Sequence, residues 1–178
     1  MRARCRVPPG ADILTHVDTQ PDKDVLHSII EEEEALGLAR MQLQPGAHEL
    51  LAALAAARVP AALLTRNNDV AMEKVTALLP PFAVRLTRSF VPCKPHPAPV
   101  HHICERLGVG VDECVVVGDS IDDIACGKAA GSLTIYVGPP NGETGDLRAH
   151  EQADHSVETL AEVRSLIRFI ETDEIRVA

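Results

Sequence analysis

Apolar residues along this chain follow two rhythms, and from residue 47 onward the rhythms alternate. Ala47 to Arg58 repeats its leucines at helical spacing, which predicts a helix with Leu50, Leu51 and Leu54 facing inward. Ala61 to Thr65 reads as a short buried strand. Asn67 or Asn68 can cap a helix running to about Leu79, where Pro80-Pro81 ends it. Ala83 to Thr87 is a further short strand, and Pro99 suits the first turn of a helix that stops at Gly108 after Leu107. Cys114 to Val117 is a strand, Ile121 to Ala130 a helix ended by Gly131, and Leu133 to Val137 a strand. Ser156-Val157 closes one more.

Residues 11–44 have a different character and carry no convincing strand. Asp24 to Arg40 reads as a helix with Val25, Ile29, Ile30 and Leu36 on one face and the run Glu31 to Glu34 exposed. That acidic run is a solvated helix face, because neighbouring helical positions point in different directions and cannot share a metal. Pro45-Gly46 then marks a boundary. The expected organisation is an N-terminal segment with a small helical cap over 1–44 and an α/β core over 45–178.

Short apolar strands alternating with helices predict a Rossmann-like parallel sheet covered by helices on both faces. In such sheets ligands sit beyond the carboxyl ends of the strands. The 178 residues suffice for one ordinary core, and 46% of them are hydrophobic. With three Phe, one Tyr and no Trp, that core must be built from aliphatic side chains. A net charge of −9 and so few aromatics argue against nucleic acid, which needs phosphate-neutralising cations and stacking platforms. No apolar run approaches the roughly 18 residues of a membrane span.

The five cysteines are odd in number and scattered without a CxxC pair, so a reducing compartment is the simpler expectation than a disulfide framework or zinc site. Val7-Pro8-Pro9-Gly10 follows the basic start where a secretory signal would have its apolar core. A cytoplasmic location is expected, with an organelle left open.

Three polar signals fall at or just past strand ends. Thr65-Arg66-Asn67 places a hydroxyl before a helix N-terminus, where an anion can meet free N–H groups; taken alone it reads first as a turn that caps the helix. Cys93-Lys94-Pro95-His96-Pro97 presents Lys94 on a stem stiffened by proline, able to offset phosphoryl or carboxylate charge. His96, His101 and His102 have no metal-binding spacing to the cysteines and are assigned to packing or surface. The third signal, Val116-Val117-Gly118-Asp119-Ser120-Ile121-Asp122-Asp123, delivers carboxylates from a buried strand into a helix start. Oxygen ligands there suit Mg²⁺, and the bland alternative is an N-cap with acidic neighbours favoured by the helix dipole.

Taken in this order, the three motifs resemble the haloacid dehalogenase superfamily of hydrolases, most closely its phosphoglycolate phosphatase-like branch. Lys94-Pro-His-Pro-Ala-Pro, Gly118-Asp-Ser-(two residues)-Asp-Ile, Gly127-Lys-Ala-Ala-Gly and the tail Ala153-Asp154-His155-Ser156-Val157 carry the resemblance, which covers about residues 41–165. It implies a Mg²⁺-dependent phosphatase acting on a small phosphorylated metabolite. Thr65 and the Arg66 backbone, with Asn67 beside them, would hold the phosphoryl group. Lys94 would stabilise its charge, and Asp119 would ligate Mg²⁺. Asp123, which the family spacing selects over Asp122, would support the site through water or by holding Lys94.

One part is missing. The family's attacking aspartate belongs to an Asp-x-Asp-x-Thr motif at the end of a central strand ahead of the cap, and no such motif occurs in these 178 residues. Asp18, within Leu14 to Gln20, has Gln20 where the second aspartate belongs, and a turn is expected there; Asp12 fails likewise. Ala3 to Val7, flanked and interrupted by arginines, makes a poor central strand. Without that strand two rows of backbone groups lose their partners at roughly 1–3 kcal/mol each, against a whole-domain stability of about 5–15 kcal/mol. The chain is therefore expected to be catalytically impaired, as an incomplete form of a phosphatase. The alternatives are a non-catalytic relative that binds a phosphorylated ligand or protein partner, and a receiver-like module.

Overall fold

The computed structural model describes residues 1–9, 11, 13–139 and 145–172, with side chains described as far as Ile167. The chain divides into two compact units, residues 1–42 and 43–178. Asp12 lies outside the described residues.

In the first unit, α1 (Ile13–Asp18) and α2 (Lys23–Ala39) pack around Cys5, Val7, Val17, Leu26 and Ile30. Of the face expected to point inward on α2, Ile30 is buried and Ile29 packs partly against the same cluster, but the face is turned toward Leu26 and away from Val25 and Leu36. Leu26 and Ile30 are buried, whereas Val25 and Leu36 are 62% and 48% exposed. The apolar stripe admitted either phase, and packing against Cys5 and Val17 selects Leu26. Residues 1–7 form turns closed by Cys5 N–H to the Met1 carbonyl (3.1 Å) and Val7 N–H to the Arg2 carbonyl (3.0 Å), not a strand. The glutamate run is the solvated face expected, with Glu32 and Glu33 also taking Arg4 at 2.6 and 2.5 Å. Asp18 ends a helix in place of the expected turn.

The second unit is the α/β core. Its elements are α3 (Ala47–Ala56), β1 (Ala62–Leu64), α4 (Asp69–Thr76), β2 (Val84–Leu86), α5 (Ala98–Leu107), β3 (Val115–Gly118), α6 (Ile121–Ala130), β4 (Leu133–Val137), α7 (Leu147–Gln152), β5 (His155–Val157) and α8 (Leu160–Thr172). Each start and stop has a local cause. Asn68 accepts the Ala71 N–H at 2.9 Å and caps α4. Gly108 and Gly131 end α5 and α6 at φ +69° and +92°, where a side chain would be strained.

All strand pairs are parallel, and helices cover both faces. On one face α3 and α8 bury Leu50 and Val163 against Ile135 and Val137. On the other, Val100, Cys104 and Cys126 of α5 and α6 pack with Leu64 and Val116, and Ile124 packs with Tyr136 and Ala149. Among the described residues no helix is long and apolar enough to cross a membrane.

The strands do not form one sheet. β1 pairs with β2, and β3-β4-β5 form a second group, with no ladder joining β1 to β3. Burial follows that break. β4 has a neighbour on each side, and its last four residues are buried, whereas β1 and β3 are half-exposed along their length. The expectation of a buried strand at Ala61–Thr65 is corrected accordingly: a strand with one neighbour keeps one edge open.

Candidate functional site

The carboxyl ends of β1 and β3 carry the site residues. Lys94, on the loop ahead of α5, reaches back so that its ammonium donates to the Leu64 carbonyl at 3.3 Å and pairs closely with Asp123 Oδ1. Both side chains are nearly enclosed, at 10% and 11% exposure. Asp123 is fixed from its other oxygen, where Oδ2 accepts from Ser120 Oγ (2.7 Å) and Ser120 N–H (3.2 Å). Gly118 is required beneath it, since a Cβ there would stand 2.2 Å from Asp123 Cβ. A buried ion pair is tolerated only when its remaining hydrogen-bonding capacity is met, and Ser120 and Leu64 meet it here.

Thr65 follows β1, and its Oγ1 accepts the Asn67 N–H at 3.1 Å while its own N–H donates to the Leu86 carbonyl at 2.9 Å. Arg66 extends to Asp122, with Nη1 2.7 Å from Oδ2, tying the end of β1 to the start of α6. The Asn67 carbonyl accepts the Arg88 N–H at 3.2 Å. Asp119 is exposed and lines a cleft of about 450 Å³ together with Val117, Tyr136, Gly138, Asp146 and Leu160. Lys94, Asp123, Arg66 and Asp122 thus join the two strand ends directly. Thr65 and Asp119 sit at those ends without a hydrogen bond to the cluster.

Two participants escaped sequence reasoning. Ser120 had a signal, the Ser-x-x-Asp spacing of a capping box, but its bond to the Lys94 partner did not follow from it. Asp146 had none. Its Oδ2 accepts the Ile121 N–H at 2.9 Å, the first helical N–H of α6, from 25 positions away in sequence. Burial pushes the Asp146 pKa up, but the Ile121 and Ala149 N–H bonds and Arg148 outweigh that and hold it below the usual carboxylate range.

The histidines are placed as expected of packing groups: His96 Nδ1 accepts the Ala98 N–H at 3.1 Å, and His102 lies 5.0 Å from the Phe90 ring. Among the described residues no group of three His, Cys, Asp or Glu side chains forms a metal cluster. Asp119 is the open carboxylate, whereas Asp122, Asp123 and Asp146 are engaged by Arg66, Lys94 and the α6 backbone. Mg²⁺ is commonly held by one or two carboxylates with waters completing its octahedron, so Asp119 fits it as one ligand of such a set.

Residues 9–131 match the family model of haloacid dehalogenase-like hydrolases. A haloacid dehalogenase-like hydrolase domain-containing protein of Arabidopsis thaliana is 34% identical over 93% of this chain and 70% of its own length. A phosphoglycolate phosphatase of Chromobacterium violaceum is 30% identical over 70% of this chain and 56% of its own. The crystal structure of a predicted phosphoglycolate phosphatase from Haemophilus somnus shares the fold with a TM-score of 0.72, at 22% identity, over 90% of this chain and 79% of that one.

Proposed function

The chain belongs to the haloacid dehalogenase-like hydrolase family, and from that premise we propose that the β1–β3 site takes the phosphoryl group of a small phosphomonoester, as in a Mg²⁺-dependent phosphatase. The observation that carries this reading is Lys94, a nearly enclosed ammonium anchored between the Leu64 carbonyl and Asp123 at the strand ends. An ammonium fixed in a low-dielectric setting offsets phosphoryl charge without reorganising when the charge moves. Thr65 Oγ and the Arg66 N–H bind the phosphoryl oxygens, with Asn67 beside them and its N–H holding Thr65 Oγ1. They lie ahead of the α4 N-terminus, whose dipole favours an anion. Asp123 positions Lys94. Asp119 is the carboxylate that would hold Mg²⁺, which when bound neutralises phosphoryl oxygen charge.

These 178 residues alone turn substrate over poorly. They contain no Asp-x-Asp-x-Thr motif, and Asp18, its nearest imitation, ends α1 and takes His27 Nε2 at 2.8 Å. Phosphate-monoester hydrolysis needs accelerations of up to ~10²¹-fold, and positioning without an attacking carboxylate supplies only part. The test is p-nitrophenyl phosphate hydrolysis with Mg²⁺, alongside inorganic phosphate binding followed by ³¹P NMR. Hydrolysis stays at background, and phosphate binds in a way that Lys94→Met weakens. Turnover abolished by Asp119→Ala would overturn the impairment and return Asp18 to consideration. A failure of phosphate to bind would remove the phosphoryl site.

A further inference from the structure

Two thiols of the α/β core face each other. Cys104, in the second half of α5, donates from its Sγ to the Sγ of Cys114, the residue before β3, at 3.1 Å. The other buried thiols turn to backbone oxygen: Cys126 Sγ donates to the His96 carbonyl at 3.0 Å, and Cys5 Sγ reaches the Leu26 carbonyl at 4.0 Å. For Cys104 the acceptor is sulfur. The surroundings of the pair are aliphatic, with Val100, Val109, Val111 and Val116 in the same cluster.

Both backbones are anchored. The Cys104 carbonyl accepts the Val109 N–H at 3.1 Å, beyond the left-handed turn at Gly108, and the Cys114 carbonyl accepts the Leu133 N–H of β4 at 3.2 Å. Disulfide sulfurs stand about 2.05 Å apart, so closing the pair asks for about 1 Å of side-chain movement, and the anchoring hydrogen bonds need not break. Exposure orders the two residues. Cys104 is 2% exposed, whereas Cys114 is half-buried and meets solvent. A neutral disulfide also suits the aliphatic surroundings better than either thiolate, which burial penalises.

We propose that Cys104 and Cys114 form a redox modification site, at which hydrogen peroxide converts the thiol pair into a reversible disulfide that clamps α5 to β3. The Cys114 thiolate attacks one peroxide oxygen, the O–O bond breaks, and the departing hydroxide takes a proton to leave as water. Cys114 is then a sulfenic acid. The Cys104 thiolate attacks Cys114 Sγ, the S–O bond breaks, and a second water leaves. In sum, two thiols lose two electrons and two protons, and the peroxide is reduced to two waters. A dithiol reductant reverses the change through a mixed disulfide. Burial holds the Cys114 thiol well above its usual range, so closure is slow near neutral pH and quickens as pH rises, because only the thiolate reacts. The clamp lies at the end of β3 away from Asp119 and in the half of α5 away from Lys94. The inference goes beyond the phosphoryl site and does not need it.

The experiment treats the full chain with hydrogen peroxide at pH 7, 8 and 9, alkylates it in denaturant and maps it by mass spectrometry. Arg106 lies between the two cysteines, so trypsin leaves them on separate peptides that only a disulfide joins. Fragmentation of the joined peptides distinguishes a Cys104–Cys114 bond from one through Cys93 or Cys126. The expected result is that bond within the monomer, formed about tenfold faster per pH unit and reversed by dithiothreitol. The oxidised chain melts roughly 5 °C higher, and reduction abolishes the shift. Cys114→Ser leaves Cys104 a free thiol under the same treatment; should that variant fail to fold, the map of the parent chain decides alone. Cys104 and Cys114 ending as thiols or as separate sulfinic acids would overturn the proposal. So would a bond from either to another cysteine, or a disulfide that forms only when peroxide is added in denaturant. An unchanged melting temperature would overturn the clamp.

Discussion

Lys94 and Asp123 form an enclosed ion pair that crosses from the end of one strand group to the other, 29 positions apart in sequence. Removing one partner of a buried pair leaves an uncompensated charge, at a cost of about 3–5 kcal/mol. Lys94→Met and Asp123→Asn should each lower the urea midpoint strongly, and the double variant should lose less than the sum of the two. Strict additivity in that cycle would mean the pair carries no coupling.

Gly127 of α6 is pressed against the sheet. A Cβ there would stand 2.6 Å from Thr134 Cγ2 and 3.0 Å from Val116 Cβ, both on β-branched strand residues that cannot swing away. Gly127→Ala should destabilise by about 1–3 kcal/mol despite the better helix propensity of alanine. Equal or greater stability by urea unfolding would show that α6 can lift from β3 without cost.

The acid limb of stability should carry the signature of Asp154. Burial raises its pKa, but Lys128 and the Thr134 hydroxyl and N–H outweigh burial and hold it at about 2, against an ordinary 3.8. The folded value is the lower one, so the stabilisation is fully present above about pH 4 and is lost as pH falls towards 2. Asp154→Asn should therefore be less stable than the parent at pH 7, with the gap closing as pH falls through about 2. A difference that persists unchanged at pH 2 would assign the effect to shape and not charge.

Thiol reactivity should rank the cysteines by environment. Burial pushes Cys114 up to about 12, helped by Cys104, whose Sγ lies 3.1 Å away. Burial pushes Cys126 up to about 11. Since the thiolate is the reactive form, these two should label slowly at pH 8. Half-exposed Cys93 should label first, with Cys5 and Cys104 held back by burial. Mass-spectrometric mapping after brief iodoacetamide treatment decides it.

Much of the core was legible before any coordinates. Ile121–Ala130 and Leu133–Val137 fall where periodicity puts them, and Asn68, Gly108 and Gly131 punctuate the helices as their chemistry demands. Thr65 and Asp119 could be named from their places next to strand ends, and Lys94 from its proline-stiffened loop and the motif it shares with the family. The α1 and α7 helices were missed because six-residue helices show too little of a period, whereas α8 was left unassigned although Leu160, Val163, Leu166 and Ile167 repeat at helical spacing.

What the sequence determined by itself was local: which segments are strand or helix, where each stops, and which polar side chains follow a strand. Those properties depend on neighbours within a few residues, and periodicity records them. Pairing across the chain was decided only in three dimensions. Tertiary structure left β1 and β3 unjoined, turned Leu26 instead of Val25 into the core, gave Asp123 to Lys94 and Asp122 to Arg66, and brought Asp146 to the start of α6. Each is a choice among distant partners with similar local chemistry, settled by which arrangement buries the apolar faces and satisfies the enclosed charges together.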